Sequence, residues 1–182
     1  MVSRQRSWPR QWLMTDERLG DRLWSILERS PKDIGVILRH YSLPAAERAA
    51  IARRVAEICS LRQMTLSIAA NEDLALALGA ELIHNPTTRP KTLPFSLSVH
   101  SKEEAIAARD SGASLVFISP IHETRSHPGQ EALGITAAIE LAKAAHVPAI
   151  ALGGMNTRKF ELLERKGFYG WAGIDAWAQE PD

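Results

Sequence analysis

The stretch Val147-Pro148-Ala149-Ile150-Ala151-Leu152-Gly153-Gly154-Met155-Asn156 holds a strand, a glycine corner and a helix cap in direct succession. Val147 to Leu152 is apolar at successive positions, as a strand covered on both faces requires. Gly153-Gly154 ends it, and Asn156 can accept a backbone N–H at the start of a helix that runs to Gly167.

The same grammar recurs in both directions. Trp12-Leu13-Met14-Thr15 reads as a strand, after which Asp16 caps a helix with Leu19, Leu23, Ile26 and Leu27 on one face. Gly35 to Leu38 is the second strand, and Pro44 opens a helix that turns Ile51, Val55 and Ile58 inward. Thr65 to Ile68 is the third, with Asn71 capping a short helix through Leu78 that Gly79 stops. Leu82 to His84 is the fourth. The prolines at 86, 90 and 94 then forbid an ordinary crossover helix. Phe95 to Val99 is the fifth, followed by a capping box from Ser101 to Glu104. Leu115 to Ile118 is the sixth, with a polar loop from Ser119 to Gln130 and a helix over Ile135, Ile139 and Ala142. The Val147 strand is the seventh and Tyr169 to Ile174 the eighth, after which little chain is left.

Strands apolar on both faces and separated by helices predict a parallel sheet covered by helices. Eight of them predict closure into a compact (β/α)8 TIM barrel, with the helix after strand four missing and the helix after strand eight absent or vestigial. An open doubly wound sheet is the alternative, because periodicity does not prove closure. Residues 1–11 read as a basic N-terminal extension with a solvated terminus, and 12–182 as a single barrel domain. Trp171 and Trp177 are expected to fill core beside the last strand, a dimer contact being the other use for them.

Composition bounds the function. The chain has 182 residues, 45% of them apolar and 24% charged, with a formal net charge of +1. Such a charge gives no chain-wide field for nucleic acid or an acidic membrane, so neither is an expected partner and any anion site is local. No apolar run approaches the ~18 residues of a membrane span, and the start lacks a signal-peptide core, so the cytoplasm is the expected location. Cys59 is the sole cysteine and reads as a small core residue.

A barrel gathers the residues after each strand on one rim, where its loops build the site. Gly153-Gly154 lets backbone approach an anion with a helix N-terminus behind it, phosphate being the natural guest; the other reading is a tight turn and nothing more. The loop Ser119-Pro120-Ile121-His122-Glu123-Thr124-Arg125-Ser126-His127-Pro128-Gly129 crowds hydroxyls, histidines, an acid and an arginine, which suits a phosphorylated heterocycle. The histidines have no metal spacing.

In this order the pieces resemble the thiamine phosphate synthase family, with its TenI-type thiazole tautomerases. They are Trp12-Leu13-Met14-Thr15-Asp16, Asp73 to Glu81, Ser98-Val99-His100-Ser101, Gly112 to Ile121, Thr124-Arg125-Ser126-His127-Pro128-Gly129, Ile150 to Met155 and Tyr169 to Ile174. The resemblance implies a (β/α)8 barrel that joins a hydroxymethylpyrimidine pyrophosphate to a thiazole phosphate. It also implies Mg²⁺ on the pyrophosphate, held by an acidic residue after strand three and another after strand four. Here Ala69-Ala70-Asn71 and His84-Asn85-Pro86-Thr87 stand at those places, so the expected acidic ligands are absent and no residue is assigned to metal. By the same resemblance Arg39 is the pyrophosphate contact, and Ser98 and Thr124 are hydrogen-bonding residues. His127 replaces the basic residue of the strand-six loop, while Arg125, Ser126, Gly153, Gly154 and Gly173 bind phosphate. Asp175 stands where a phosphate-binding serine is expected, and a carboxylate there repels phosphate unless protonated or paired.

Three functions are compatible with that pattern. The first is a synthase with an altered Mg²⁺/pyrophosphate site, in which Arg39, Arg125 and His127 neutralise charge. The second is a non-catalytic relative that binds thiamine phosphate or a precursor. The third is a TenI-like tautomerase, whose acid-base histidine maps to Pro120, leaving His122 two residues on as the substitute. Partners are small phosphorylated pyrimidine or thiazole ligands or thiamine phosphate, with a homodimer as a further possibility.

Overall fold

The computed structural model describes residues 7–124, 129 and 131–178. Eight parallel strands form a closed barrel in the order β1-β2-β3-β4-β5-β6-β7-β8. They are β1 Gln11–Met14, β2 Gly35–Leu38, β3 Thr65–Ala69, β4 Leu82–His84, β5 Phe95–Val99, β6 Leu115–Ile118, β7 Ala149–Ala151 and β8 Gly170–Gly173. Pairing of β1 with β8, Trp12 against Ala172, closes the ring and removes the open-sheet alternative.

The register fixes what faces inward. Trp12 pairs with Gly35, Ser67 with Leu82, His84 with Ser96, Ser98 with Phe117, and Phe117 with Ile150. Paired residues of parallel neighbours share a face and alternate residues face opposite ways. Trp12, His84, Ser96 and Phe117 therefore all share the inward face. Phe117 meets Trp12 edge to face at 5.7 Å and His84 at 5.1 Å across the barrel. The Trp12 ring fills the space beside Gly35 so closely that a Cβ there would lie 2.1 Å from it. Outward residues pack under the helices, as Phe95, Val99 and Val116 do beneath α4 Lys102–Ser111 and α5 Gly134–Ala145.

Helix boundaries follow the caps with one exception. Asn71, Ser101 and Asn156 accept the N–H of Leu74, Glu104 and Lys159, opening α3 Glu72–Ala77, α4 and α6 Thr157–Glu164. In the capping box Glu104 reaches the N–H of His100 at 2.6 Å rather than that of Ser101. The exception is Asp16, expected to open one long helix. It caps only a 3-10 turn, Glu17–Leu19, because Gly20 then takes φ +50, and α1 Arg22–Arg29 starts afresh. Leu19, Leu23, Ile26 and Leu27 are buried as expected.

The inward faces of two helices are shifted. In α2 Ala45–Arg62 the buried residues are Ala52, Val55 and Cys59, with Ile51 and Ile58 on the shoulders. In α5 they are Ala138, Leu141 and Ala145, with Ile135 and Ile139 beside them. Small side chains take the line of closest approach to the sheet, and branched ones fill its flanks. Burial also pushes the Cys59 thiol up to about 12, which leaves it inert.

Several ends are shorter than the apolar runs suggested. Thr15 follows β1, Val147 and Pro148 precede β7, α6 stops at Glu164, and Tyr169 and Ile174 flank β8. No helix follows β4; the segment from Asn85 to Pro94 is held by the Glu72 carboxylate, which accepts the N–H of Lys91 and Thr92 at 3.0 Å each. After β8 there is only α7 Asp175–Ala178 among the described residues. Trp177 of α7 stacks on Trp171 at 5.3 Å and donates to Trp12 O at 3.1 Å, so both tryptophans fill core.

Residues 7–10 are not a loose end. The Tyr169 hydroxyl donates to Trp8 O, Trp12 Nε1 donates to Pro9 O at 2.8 Å, and Arg10 pairs with Glu164 at 2.6 Å. No described helix is long and apolar enough to cross a membrane.

Candidate active site at the barrel mouth

The C-terminal ends of the strands surround a cavity of about 550 Å³. Of the residues read from the sequence, Arg39, Thr124, Gly153, Gly154, Gly173 and Asp175 line it together. His100, Ser119, Glu123, Asn156 and Lys159 complete much of the wall.

On the β1–β3 side the wall is made of charge pairs. Arg39 ends the inward row of β2, its N–H donating to Thr15 Oγ1 at 3.1 Å and its Nε to Thr15 O at 3.0 Å. Its remaining guanidinium edge meets Asp16 at 3.1 Å, and Asp16 also holds Arg18 at 2.8 Å. Burial alone would raise the Asp16 carboxyl, but hydrogen bonds from Arg18 and the charges of Arg18 and Arg39 outweigh it and hold it below the usual range. Behind them Arg48 donates to Arg39 O at 2.8 Å and to Ala69 O at 2.6 Å, tying the end of β2 to the end of β3. His40 is buried with Nδ1 2.9 Å from Thr15 Oγ1, and burial, foremost among its surroundings, holds it below the ordinary histidine value. Asp175 feels the Arg18 guanidinium, which supplies the countercharge its position needs.

On the β6–β8 side the wall is made of backbone. Gly153 has φ +95, and a Cβ there would lie 2.7 Å from Pro120 Cα; Gly154 has φ +60, and its Cβ would meet Glu123 O at 2.7 Å. Left-handed backbone and close approach of the β6 loop therefore require both glycines before any ligand is considered. Lys159, from the first turn of α6, brings Nζ back over the corner to Gly154 O at 2.7 Å. His122 lies against Gly154 and donates its N–H to Gly153 O at 3.2 Å. Partial burial first, and the Lys159 charge second, hold its imidazole below the ordinary value.

The floor is a polar patch on β4 and β5. Ser98 N–H donates to Asn85 Oδ1 at 2.7 Å, and Asn85 Nδ2 donates to Ser98 Oγ at 2.9 Å. His84 sits beneath, with Nδ1 3.0 Å from Ser96 Oγ and Nε2 3.4 Å from Ser98 Oγ.

Two of the sequence candidates are thus set apart from the cavity wall. Ser98 belongs to the floor network, and His122 stands behind Gly154, so among the described residues the histidine that lines the cavity is His100, with Nδ1 2.6 Å from Ser119 O. Arg125, Ser126 and His127 lie outside the described residues. Glu123 lines the cavity as a member of the loop read from the sequence, whereas Lys159 was missed as a site residue. Lys159 reads from the sequence as an ordinary exposed helix residue, and only its place one turn after a glycine corner hints that it reaches back.

Eight parallel strands with a ligand-sized cavity at their C-terminal mouth define a TIM-barrel protein, and the cavity lies where that class carries its sites. The model of the thiamine monophosphate synthase family matches residues 14–177, and the chain belongs to that family. It is 28% identical over 153 residues to a thiamine-phosphate synthase of Caldanaerobacter subterraneus, covering 76% of this chain and 70% of that protein. Identity is also 28%, over 151 residues, to a thiamine-phosphate synthase of Geobacillus kaustophilus, with 77% and 68% covered. The solved thiamine phosphate pyrophosphorylase from Pyrococcus furiosus superposes with a TM-score of 0.77 at 21% identity, covering 94% of this chain and 88% of that one, which bears on the fold.

The family implies Mg²⁺, and the residues at the ends of β3 and β4 do not fit it. A hard cation takes carboxylate and other oxygen ligands. The end of β3 offers Ala69, Ala70 and Asn71, whose Oδ1 is already the cap acceptor of Leu74 N–H. The end of β4 offers buried His84 and Asn85. The Arg48 guanidinium also sits on Ala69 O, where it would repel a dication.

Proposed function

We propose that this protein acts on the thiamine-phosphate synthase substrates, joining a hydroxymethylpyrimidine pyrophosphate to a thiazole phosphate, with side-chain cations in place of a divalent ion. The observation that carries the reading is the span of the cavity: Arg39 on one wall and Lys159 with Gly153-Gly154 on the other, so that each anionic ligand meets its own positive group. In the step itself the C–O bond from the pyrimidine methylene to pyrophosphate breaks, the electron pair leaves on the phosphate oxygen, and the thiazole nitrogen forms the new C–N bond. Arg39 meets the negative charge that grows on the leaving group, which is the largest demand such a transition state makes. Lys159 and the glycine corner hold the thiazole phosphate, and the Arg18 charge offsets Asp175 beside it. A cytoplasmic site of action is part of this proposal, because phosphorylated precursors are too highly charged to cross a bilayer unaided.

The test is formation of thiamine phosphate from the two purified precursors, with Mg²⁺ in one arm and EDTA in the other. Product in both arms is the expected result. Product in neither, alongside an active control enzyme, removes the synthase reading.

A second reading, binding without turnover, is favoured by the engagement of Arg39. Its guanidinium is already held by Asp16 and Thr15 O, so a pyrophosphate must compete with a carboxylate for it. Calorimetric binding of thiamine phosphate with no product from the precursors is the outcome this reading requires. The tautomerase reading lacks such support, because His122 stands behind the glycine corner instead of on the cavity wall.

A further inference from the structure

Beneath the mouth lies a histidine that the coupling chemistry does not use. His84 is inward-facing and 1% exposed; burial first, and the Arg39 charge second, push it down to about 3. Its ring is therefore neutral and carries a single N–H, on whichever nitrogen its neighbours favour.

Those neighbours decide the matter. Ser96 is fully buried, and its hydroxyl has His84 Nδ1 as partner at 3.0 Å. Accepting from Nδ1–H would leave the Ser96 hydrogen unpaired in an apolar interior, whereas donating it to Nδ1 satisfies both groups. The ring hydrogen then belongs on Nε2, which faces Ser98 Oγ at 3.4 Å. Ser98 Oγ already accepts from Asn85 Nδ2 at 2.9 Å, an orientation fixed because Asn85 Oδ1 accepts the Ser98 N–H at 2.7 Å. With donors on both of these sides, the one hydrogen of the Ser98 hydroxyl has to point away from them.

We infer that His84 is a positioning residue: through Ser96 below and Ser98 above, its Nε2–H tautomer turns the Ser98 hydroxyl outward as a hydrogen-bond donor to an anionic oxygen in the mouth. A ligand that offers N–H at this point finds no acceptor, so the device selects for phosphate-type oxygens. The anionic ligand is taken from the function proposed above, whereas the tautomer follows from the floor alone.

Two measurements test it separately. Nitrogen NMR of the His84 ring in the wild-type protein should show protonation at Nε2, unchanged from about pH 8 to about pH 5, with the preference weakened in Ser96→Ala. A ring protonated at Nδ1 overturns the inference whatever the protein binds. Calorimetry with inorganic pyrophosphate should show roughly tenfold weaker binding for Ser98→Ala and for His84→Gln. The double variant should bind no more weakly than Ser98→Ala alone, and Ser98→Thr should retain affinity. Additive losses, or no loss in His84→Gln, overturn it. If the wild type binds neither pyrophosphate nor thiamine phosphate, the proposed function falls while the NMR result still decides the tautomer.

Discussion

The two walls of the mouth are built from different materials. On the β1–β3 side, Asp16, Arg18, Arg39 and Arg48 hold one another and the strand ends through side-chain hydrogen bonds and ion pairs. On the β6–β8 side, Gly153 and Gly154 fit against Pro120 and Glu123 with no room for a Cβ. The first wall can exchange partners when an anion arrives, because its bonds are electrostatic and partly exposed. The second cannot, because its shape is set by backbone contact. On the proposed function, one ligand end sits on a rigid corner and the other on groups that must first let go of each other.

Breaking the rigid wall should have the largest effect. Gly153→Ala combines a left-handed φ with a 2.7 Å contact to Pro120 Cα, and should cost about 3 kcal/mol in urea unfolding. Arg48→Met removes the donors to Arg39 O and Ala69 O and should cost about 2 kcal/mol by the same measurement. If Arg48→Met proves as costly as Gly153→Ala, the contrast between the walls is lost.

The floor between them should govern the acid side of stability. His84 has a folded pKa depressed from 6.5 to about 3, so the unfolded chain binds a proton at a pH where the folded one does not. Its contribution is fully present above pH 6.5 and is lost as pH falls from there toward about 3. His84→Gln should flatten the fall in unfolding free energy across that window, whereas an unchanged slope would mean that the ring is not isolated from solvent.

Smaller effects sharpen the exchangeable wall. Asp16→Asn releases Arg39 and removes a negative charge, and should tighten inorganic pyrophosphate binding by roughly fivefold; weaker binding would mean that Asp16 orients Arg39 instead of competing for it. Lys159→Met should change stability by less than about 0.5 kcal/mol and weaken phosphate binding by roughly threefold to tenfold. No change in binding would remove Lys159 from the site.

Much of the barrel could be read from the chain. Each strand is a short apolar run with no polar alternation, because parallel strands are covered on both sides, and Asn71, Ser101 and Asn156 announce helix starts through side-chain oxygens. What escaped was tertiary. Gly20 looked like one more residue of a helix, yet its left-handed turn splits the segment. Ile51 and Ile58 are the larger apolar side chains, but the smaller Ala52 and Cys59 take the close contact. In the site, Arg39, Thr124, Gly153, Gly154, Gly173 and Asp175 came together as their positions after the strands foretold. The reach of Lys159 and the downward ties of Ser98 depend on side-chain direction and cross-strand register, which spacing along the chain does not encode.

The missing crossover helix after β4 has a practical consequence. Between Asn85 and Pro94 the chain skirts the barrel, with the Glu72 carboxylate gripping Lys91 and Thr92 at its far end. New termini opened near Thr88 would leave every strand and every cap intact, making this the natural seam for a circularly permuted version or for grafting a reporter beside the mouth.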